Sequence, residues 1–225
     1  MDPRLDPDLR VNSIHFGWQW EGQNMGLYAL FVVLQGCPSS CFNCPYATDA
    51  SCQEGEEVTV DEMMGKEDRP EASYAVLKAT QLFALIREIQ DAPFSVVITG
   101  GEPAKHNLTA LTGLLIEDDF LPIVHTGGEI PFEVIKGTLI SIRPRTRLVI
   151  PQALNVADEV ILVIKDENDL TWLDVLLEHV DDTRCEVFLQ ASTPEAFPFL
   201  KEVVPTRGFR ISYRPVGELP KRWKN

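Results

Sequence analysis

Three cysteines close together are the first residues whose type and spacing could do chemistry. Cys37, Cys41 and Cys44 stand in the run Gln35-Gly36-Cys37-Pro38-Ser39-Ser40-Cys41-Phe42-Asn43-Cys44. Thiolates at a four-residue and then a three-residue step can hold three irons of a 4Fe-4S cube, which ordinarily takes four cysteines. The fourth iron would be left open, and an open metal position separates a reactive site from a structural one. Two plainer alternatives stand beside this: a zinc site completed by Cys52 or His15, or buried cysteines without metal. Structural zinc usually pairs two Cys-x-x-Cys units, whereas only Cys41 and Cys44 form one here.

A second loop carries complementary chemistry. The apolar run Ser95-Val96-Val97-Ile98-Thr99 ends in Gly100-Gly101-Glu102-Pro103. Paired glycines let backbone approach a ligand closely, and Glu102 supplies an acceptor for an ammonium group. The alternative is an ordinary strand-to-helix turn ended by proline. His125, at the end of another apolar run, is a proton donor, a cofactor contact or a satisfied core histidine. Arg143, Arg145, Arg147 and Arg214 could take an anionic substrate by bidentate contacts, or be solvated loop charges.

These loops need elements to position them. Apolar runs predict strands over Tyr28–Leu34, Ser95–Thr99, Leu121–His125, Leu139–Ile142, Glu159–Ile164, Glu186–Gln190 and Phe209–Tyr213. Between them, Val76, Ala79, Phe83, Ile86 and Ile89 mark one helix face at spacings of three and four. Asn107, then Asn168 or Asp169, then Thr193-Pro194-Glu195 are helix-start signals. Alternating strand and helix argues for an α/β fold with a parallel sheet, curled into a full or partial barrel or left open and doubly wound. In either arrangement both loops fall at the C-terminal strand edge, where such folds place active sites. An acidic, polar stretch near 53–72 reads as a surface insertion in a single domain spanning 1–225.

At 225 residues and 44% hydrophobic, the chain can bury one substantial core. A net charge of −14 opposes nucleic-acid or anionic-membrane binding and favours a small-molecule or protein substrate. With no apolar run of about 18 residues or more and no apolar segment behind Met1, a soluble, cytoplasmic protein is expected. Five cysteines, four of them between Cys37 and Cys52, suggest metal before disulfides. Cys52 and Cys185 have no assigned role.

The two loops in this order resemble the radical S-adenosylmethionine superfamily, whose signature is C-x-x-x-C-x-x-C followed by a Gly-Gly-Glu-Pro strand end. The resemblance implies a partial (β/α) barrel of about six parallel strands with outer helices, and a homodimer. It implies that Cys37, Cys41 and Cys44 hold the cluster and that methionine's amino and carboxylate groups chelate the open iron. Gly100, Gly101 and Glu102 would line the amino-group side, with Phe42 and Asn43 beside the adenine. Reduction by a donor such as flavodoxin or ferredoxin would then release a 5'-deoxyadenosyl radical that takes a hydrogen atom from the substrate.

Within that superfamily the chain, in length as well as motifs, looks like the 7-carboxy-7-deazaguanine synthases, which contract 6-carboxytetrahydropterin during queuosine-type nucleoside synthesis. Gln19-Trp20-Glu21-Gly22, Gly26 and Phe31 through Cys37 resemble that family's opening, strand and cluster loop. Val97 through Pro103 and His106 through Leu115 resemble its next βα unit. Val124-His125-Thr126-Gly127-Gly128, Ile142-Arg143-Pro144-Arg145 and Phe188-Leu189-Gln190 fall on later strand ends. By this similarity Gln19, Glu21 and Gly22 would contact the pterin, and Thr126, with Arg143 and Arg145, S-adenosylmethionine. At His125, Arg143 and Arg145 the residue type differs from the family's.

Three departures sit on the substrate side. The threonine that helps the family hold magnesium is Tyr46 here, a poor substitute for a small hydroxyl ligand, which leaves magnesium unsupported. The arginine preceding the family's Leu-Gln-Gly-Cys is Val33, and its C-terminal Gln-Thr-His-Lys is replaced around Arg214-Pro215-Val216-Gly217. Three rivals therefore stand: a radical enzyme for a different small molecule, a glycyl-radical activating enzyme, and a cluster- or zinc-bearing binding module without chemistry.

Overall fold

The computed structural model describes residues 5–37, 49–65, 70–181, 183–193, 196–207 and 209–212. Its frame is set by runs of Val, Ile and Leu that cannot be exposed on either face. β2 (Tyr28–Leu34), β5 (Ser95–Gly100), β6 (Leu121–Thr126), β7 (Leu139–Ile142), β8 (Glu159–Ile164), β9 (Glu186–Ala191) and β10 (Arg210–Ser212) pair in parallel in the order β2-β5-β6-β7-β8-β9-β10. Parallel strands are covered on both sides, which is why these segments read as near-continuous apolar runs.

Helices make most crossovers: α3 (Thr109–Glu117) between β5 and β6, α4 (Pro151–Val156) between β7 and β8, α5 (Glu167–Leu177) between β8 and β9, and α6 (Phe197–Arg207) before β10. Beside β2 the sheet turns antiparallel. β1 (Asp8–Trp18) pairs with β2 on one side and β4 (Ser73–Lys78) on the other, and β3 (Glu56–Glu57) flanks β4. Among the described residues the sheet thus runs from β10 at one edge to β3 at the other, an open, partial barrel whose parallel part has seven strands against the six or so expected.

The pleat sorts side chains into two layers. Leu30, Val32, Leu34, Val96, Ile98 and Val124 face outward into one core beneath α3 and α2 (Ala79–Ile89). Ile140, Ile142, Val160, Leu162 and Leu189 form a second core with Leu154, Leu173 and Leu200 of the outer helices. Burying each such Leu or Ile contributes roughly 1.5–3 kcal/mol. The intervening residues Ala29, Val97 and Ile123 form a separate inner cluster with Phe31. Val33, Thr99 and His125 therefore share that inner face, one step nearer the C-terminal strand ends.

Several local expectations change. Val76 lies in β4 and is exposed, so the buried stripe of α2 is Ala79, Leu82 and Ile86. Asp166, not Asn168 or Asp169, caps α5, in a capping box with Asp169. Asn107 does receive the Thr109 N–H at 3.1 Å. In the polar 53–72 stretch, β3 and α1 (Val60–Met64) form at the sheet edge, where Met63 enters the core beneath a Thr59/Glu62 capping box. Pro194, Glu195 and Tyr213 lie outside the described residues.

Candidate functional site

Two strand-end loops are stitched together by backbone. Gly101 N–H donates to Leu34 O at 3.2 Å, Glu102 N–H to Gly36 O at 3.0 Å, and Gly36 N–H to Ser51 O at 2.7 Å. Neither glycine of the second loop has room for a side chain. At Gly100 (φ +128°) a Cβ would sit 2.1 Å from Leu34 O, and at Gly101 it would sit 2.5 Å from Gly36 O and 2.7 Å from Ser51 O. Backbone oxygens held by these hydrogen bonds cannot give way as a flexible side-chain tip can. The pair of glycines is therefore required by the approach of the two loops.

Behind them, Gln35 anchors the 50–53 turn. Its Nε2 donates to Ala50 O and Gln53 O, both at 2.8 Å, while Asn12 Nδ2 donates to its Oε1 at 2.9 Å. This holds Cys37 beside Ser51 and Cys52.

Glu102, 5% exposed, joins β5 to β6. Its Oε1 accepts from Thr126 Oγ1 at 2.5 Å and from the Ala104 N–H at 3.0 Å, and its Oε2 accepts from the Gly127 N–H at 2.9 Å. A carboxylate has about four acceptor positions. Three are filled, which leaves one on Oε2 for an ammonium donor.

The opposite wall is cationic. Arg143, just past β7, pairs with Glu21, donates through Nε to Ser141 Oγ at 3.3 Å, and reaches His125 Nε2 with Nη2 at 3.3 Å. A guanidinium only donates, so His125 Nε2 accepts and Nδ1 carries the proton. Burial, then Arg143 and Arg145, hold the His125 imidazolium pKa well below the usual histidine value, and the ring is neutral. His15 and Phe31, paired across β1 and β2, stack at 5.6 Å and also line the cavity.

Cys37, Gly100, Gly101, Glu102, Thr126, Arg143, Arg145, Gln19 and Glu21 all line one cavity of about 330 Å³, together with His125, Val33 and Cys52. Residues from both ends of the sequence motif set thus converge on a space within the usual range for small-molecule sites, roughly 300–1,000 Å³. Gly22 is not among the lining residues; its backbone (φ +74°) lies against Glu159. Cys41, Phe42, Asn43, Cys44 and Tyr46 lie outside the described residues, as does Arg214. Arg147 sits over the Trp172 ring at 5.8 Å.

The residues present fit the implied groups. Glu102 retains an acceptor position, the glycine loop exposes backbone against the cysteine loop, and Gln19, 4% exposed, has an Nε2 without a hydrogen-bond partner among the described residues at the cavity. Sequence reasoning missed Glu159, Ser141 and Asn12. Their partners are distant in sequence, and the one available signal was a carboxylate, Glu159, opening an otherwise apolar strand.

The crystal structure of QueE from Escherichia coli matches this chain with a TM-score of 0.82 and 29% identity, covering 92% of this chain and 94% of that one. The fold and its match to that structure mark a radical S-adenosylmethionine enzyme built on a partial barrel. No family model matches the chain. Its curated homologues carry the name 7-carboxy-7-deazaguanine synthase. The enzyme of Escherichia coli (strain K12) is 29% identical over 182 residues, 79% of this chain and 81% of its own length. That of Buchnera aphidicola subsp. Schizaphis graminum is 23% identical over 206 residues, 90% and 94% respectively. That of Prochlorococcus marinus is 31% identical over 169 residues, 69% and 64%. The family resemblance carried by the motifs is thereby borne out.

Proposed function

We propose that this chain converts 6-carboxytetrahydropterin, or a closely related heterocycle, to a 7-carboxy-7-deazaguanine-type product. The observation that carries the reading is one cavity with two chemically distinct walls: Cys37, Gly101 and Glu102 on one side, Gln19, Glu21 and Arg143 on the other. When bound, the 4Fe-4S cluster and S-adenosylmethionine supply a 5'-deoxyadenosyl radical able to abstract hydrogen from an unactivated carbon.

The chain's own groups do the rest. Cys37, Cys41 and Cys44 would hold the cluster, and the Gly100-Gly101 backbone with Glu102 would receive the methionine amino group. Thr126 orients Glu102 by its hydroxyl donation. Gln19 Nε2, buried and without a hydrogen-bond partner among the described residues, suits a carbonyl or ring-nitrogen acceptor on a pterin-like heterocycle. Glu21, fixed by Arg143, presents an acceptor for ring N–H groups. Arg145 supplies cationic charge for a carboxylate in a chain that is otherwise acidic. Walls of Trp18, Trp20, Phe31 and His15 restrict water around the reacting centre. An electron donor such as flavodoxin or ferredoxin, a homodimeric state, a single domain and a cytoplasmic location complete the reading.

One observation favours a second reading. Val33 lines the cavity where the resemblance places a substrate-binding arginine, which suits a related heterocycle with less anionic character. Incubating anaerobically reconstituted protein with S-adenosylmethionine, a reductant and 6-carboxytetrahydropterin separates the two by mass spectrometry. Formation of 7-carboxy-7-deazaguanine supports the first. Only 5'-deoxyadenosine, without that product, moves the assignment to the second.

A further inference from the structure

We propose that Glu159 is a positioning residue for the substrate: it ties the Gln19–Leu27 loop to the arginine-bearing end of β7, so that Glu21 and Arg143 meet on the cavity wall. The inference rests on the function proposed above. Glu159 opens β8 and is 2% exposed, and a carboxylate that deep persists only with partners for its oxygens. Each oxygen serves a different element. Oε2 accepts the Gln23 N–H at 2.7 Å, and Oε1 accepts the Ser141 hydroxyl at 2.5 Å.

Both branches lead to the site. Ser141 Oγ receives Arg143 Nε at 3.3 Å, and Arg143 pairs with Glu21, two residues before Gln23. The contacts close a ring from Glu159 through Ser141, Arg143, Glu21 and the loop back to Glu159. Gly22 shows how tight that ring is, because a Cβ there would fall 2.4 Å from Oε2 and 2.6 Å from Oε1. The loop passes directly over the carboxylate. Burial raises the Glu159 pKa, while the Ser141 and Gln23 hydrogen bonds and Arg143 oppose that rise, as expected of a group held in place by its donors. A group with a purely local packing role would not connect, through Ser141 and Gln23, to two cavity-lining residues far apart in sequence, Arg143 and Glu21.

The test compares Glu159→Ala, Glu159→Gln and Ser141→Ala in cluster-loaded enzyme. The readouts are KM and kcat for the pterin, 5'-deoxyadenosine released per product, and amide hydrogen exchange over residues 19–27. For Glu159→Ala we expect KM to rise about ten-fold, corresponding to ~1.4 kcal/mol of lost substrate binding, with 5'-deoxyadenosine still formed but less coupled to product. Exchange at Gln23 accelerates. Glu159→Gln, which keeps one oxygen for Gln23 and an amide for Ser141, restores most of the KM. Ser141→Ala raises KM while leaving Gln23 protected, and it stands in should Glu159→Ala fold poorly. An unchanged KM, or loss of kcat in step with cluster content and no local change in exchange, overturns the proposal. If the unaltered protein makes no product from the pterin, the functional reading fails, and the exchange data with 5'-deoxyadenosine release still decide whether Glu159 holds the loop.

Discussion

Glu102→Gln is the substitution whose cost can be worked from the structure most directly. The carboxylate receives the Thr126 hydroxyl and Ala104 N–H on Oε1 and the Gly127 N–H on Oε2. A glutamine has one oxygen to offer. If it faces Ala104, the amide NH2 confronts the Gly127 N–H. If it faces Gly127, the NH2 confronts the Ala104 N–H, while the Thr126 hydroxyl can rotate and accept. Either way one backbone donor beside the cavity loses its acceptor, at about 1–3 kcal/mol, and the surviving bonds lose their charge assistance. Urea unfolding of the anaerobic, cluster-loaded variant should show a loss of that size. Affinity for S-adenosylmethionine should fall roughly ten- to hundred-fold, since each ~1.4 kcal/mol is a factor of ten. Stability within about 0.5 kcal/mol of the parent, the range of a neutral surface change, together with unchanged binding would refute the assignment of Glu102 as both the junction of β5 with β6 and the ammonium acceptor.

Further outcomes follow from the same geometry. Gly100→Ala places a Cβ 2.1 Å from Leu34 O at a backbone angle that disfavours side chains, so iron content after reconstitution should collapse along with β2–β5 pairing; normal iron loading would count against it. His125 stays neutral when folded but gains a proton when unfolded. Stability should therefore hold above the ordinary histidine value of 6.5 and decline as pH falls below it, by at most about 1.4 kcal/mol per unit. His106 is pushed down by burial in the same sense, so the relevant quantity is the slope that His125→Asn removes in pH-dependent unfolding. Cys185 is buried and its thiol is pushed up to about 12. Iodoacetamide at pH 8 should leave it unmodified until denaturant is added, as read by peptide mass spectrometry, because the thiolate is the reacting species.

The parts of the fold legible in the sequence are those fixed by local composition. β7 and β8 fall on the residues their apolar runs mark, because a strand buried on both faces needs Val, Ile and Leu throughout. β1 escaped notice because it alternates buried Leu9 and Val11 with polar Arg10, Asn12 and Ser13, and then carries exposed aromatic residues into the β1–β2 hairpin. β4 was obscured by Val76, whose spacing to Ala79 and Phe83 imitates a helix face. The cysteine and Gly-Gly-Glu loops are contiguous motifs and could be read directly. Glu159 could not, since its role depends on the parallel register that sets Ser141 opposite it and on a loop 136 residues away. The roles of Arg143 and Arg145 were likewise undecided in sequence. Arg143 is committed to Glu21, Ser141 and His125, a set of partners that only the curled sheet brings together.

The central claim is that radical generation and pterin binding share the cavity between Cys37 and Arg143. The most direct measurement uses 6-carboxytetrahydropterin deuterated on its saturated ring carbons, in a single anaerobic turnover with S-adenosylmethionine and a reductant. Deuterium should appear in the 5'-deoxyadenosine, with 7-carboxy-7-deazaguanine formed alongside it. Unlabelled 5'-deoxyadenosine, with the pterin recovered intact, would contradict it.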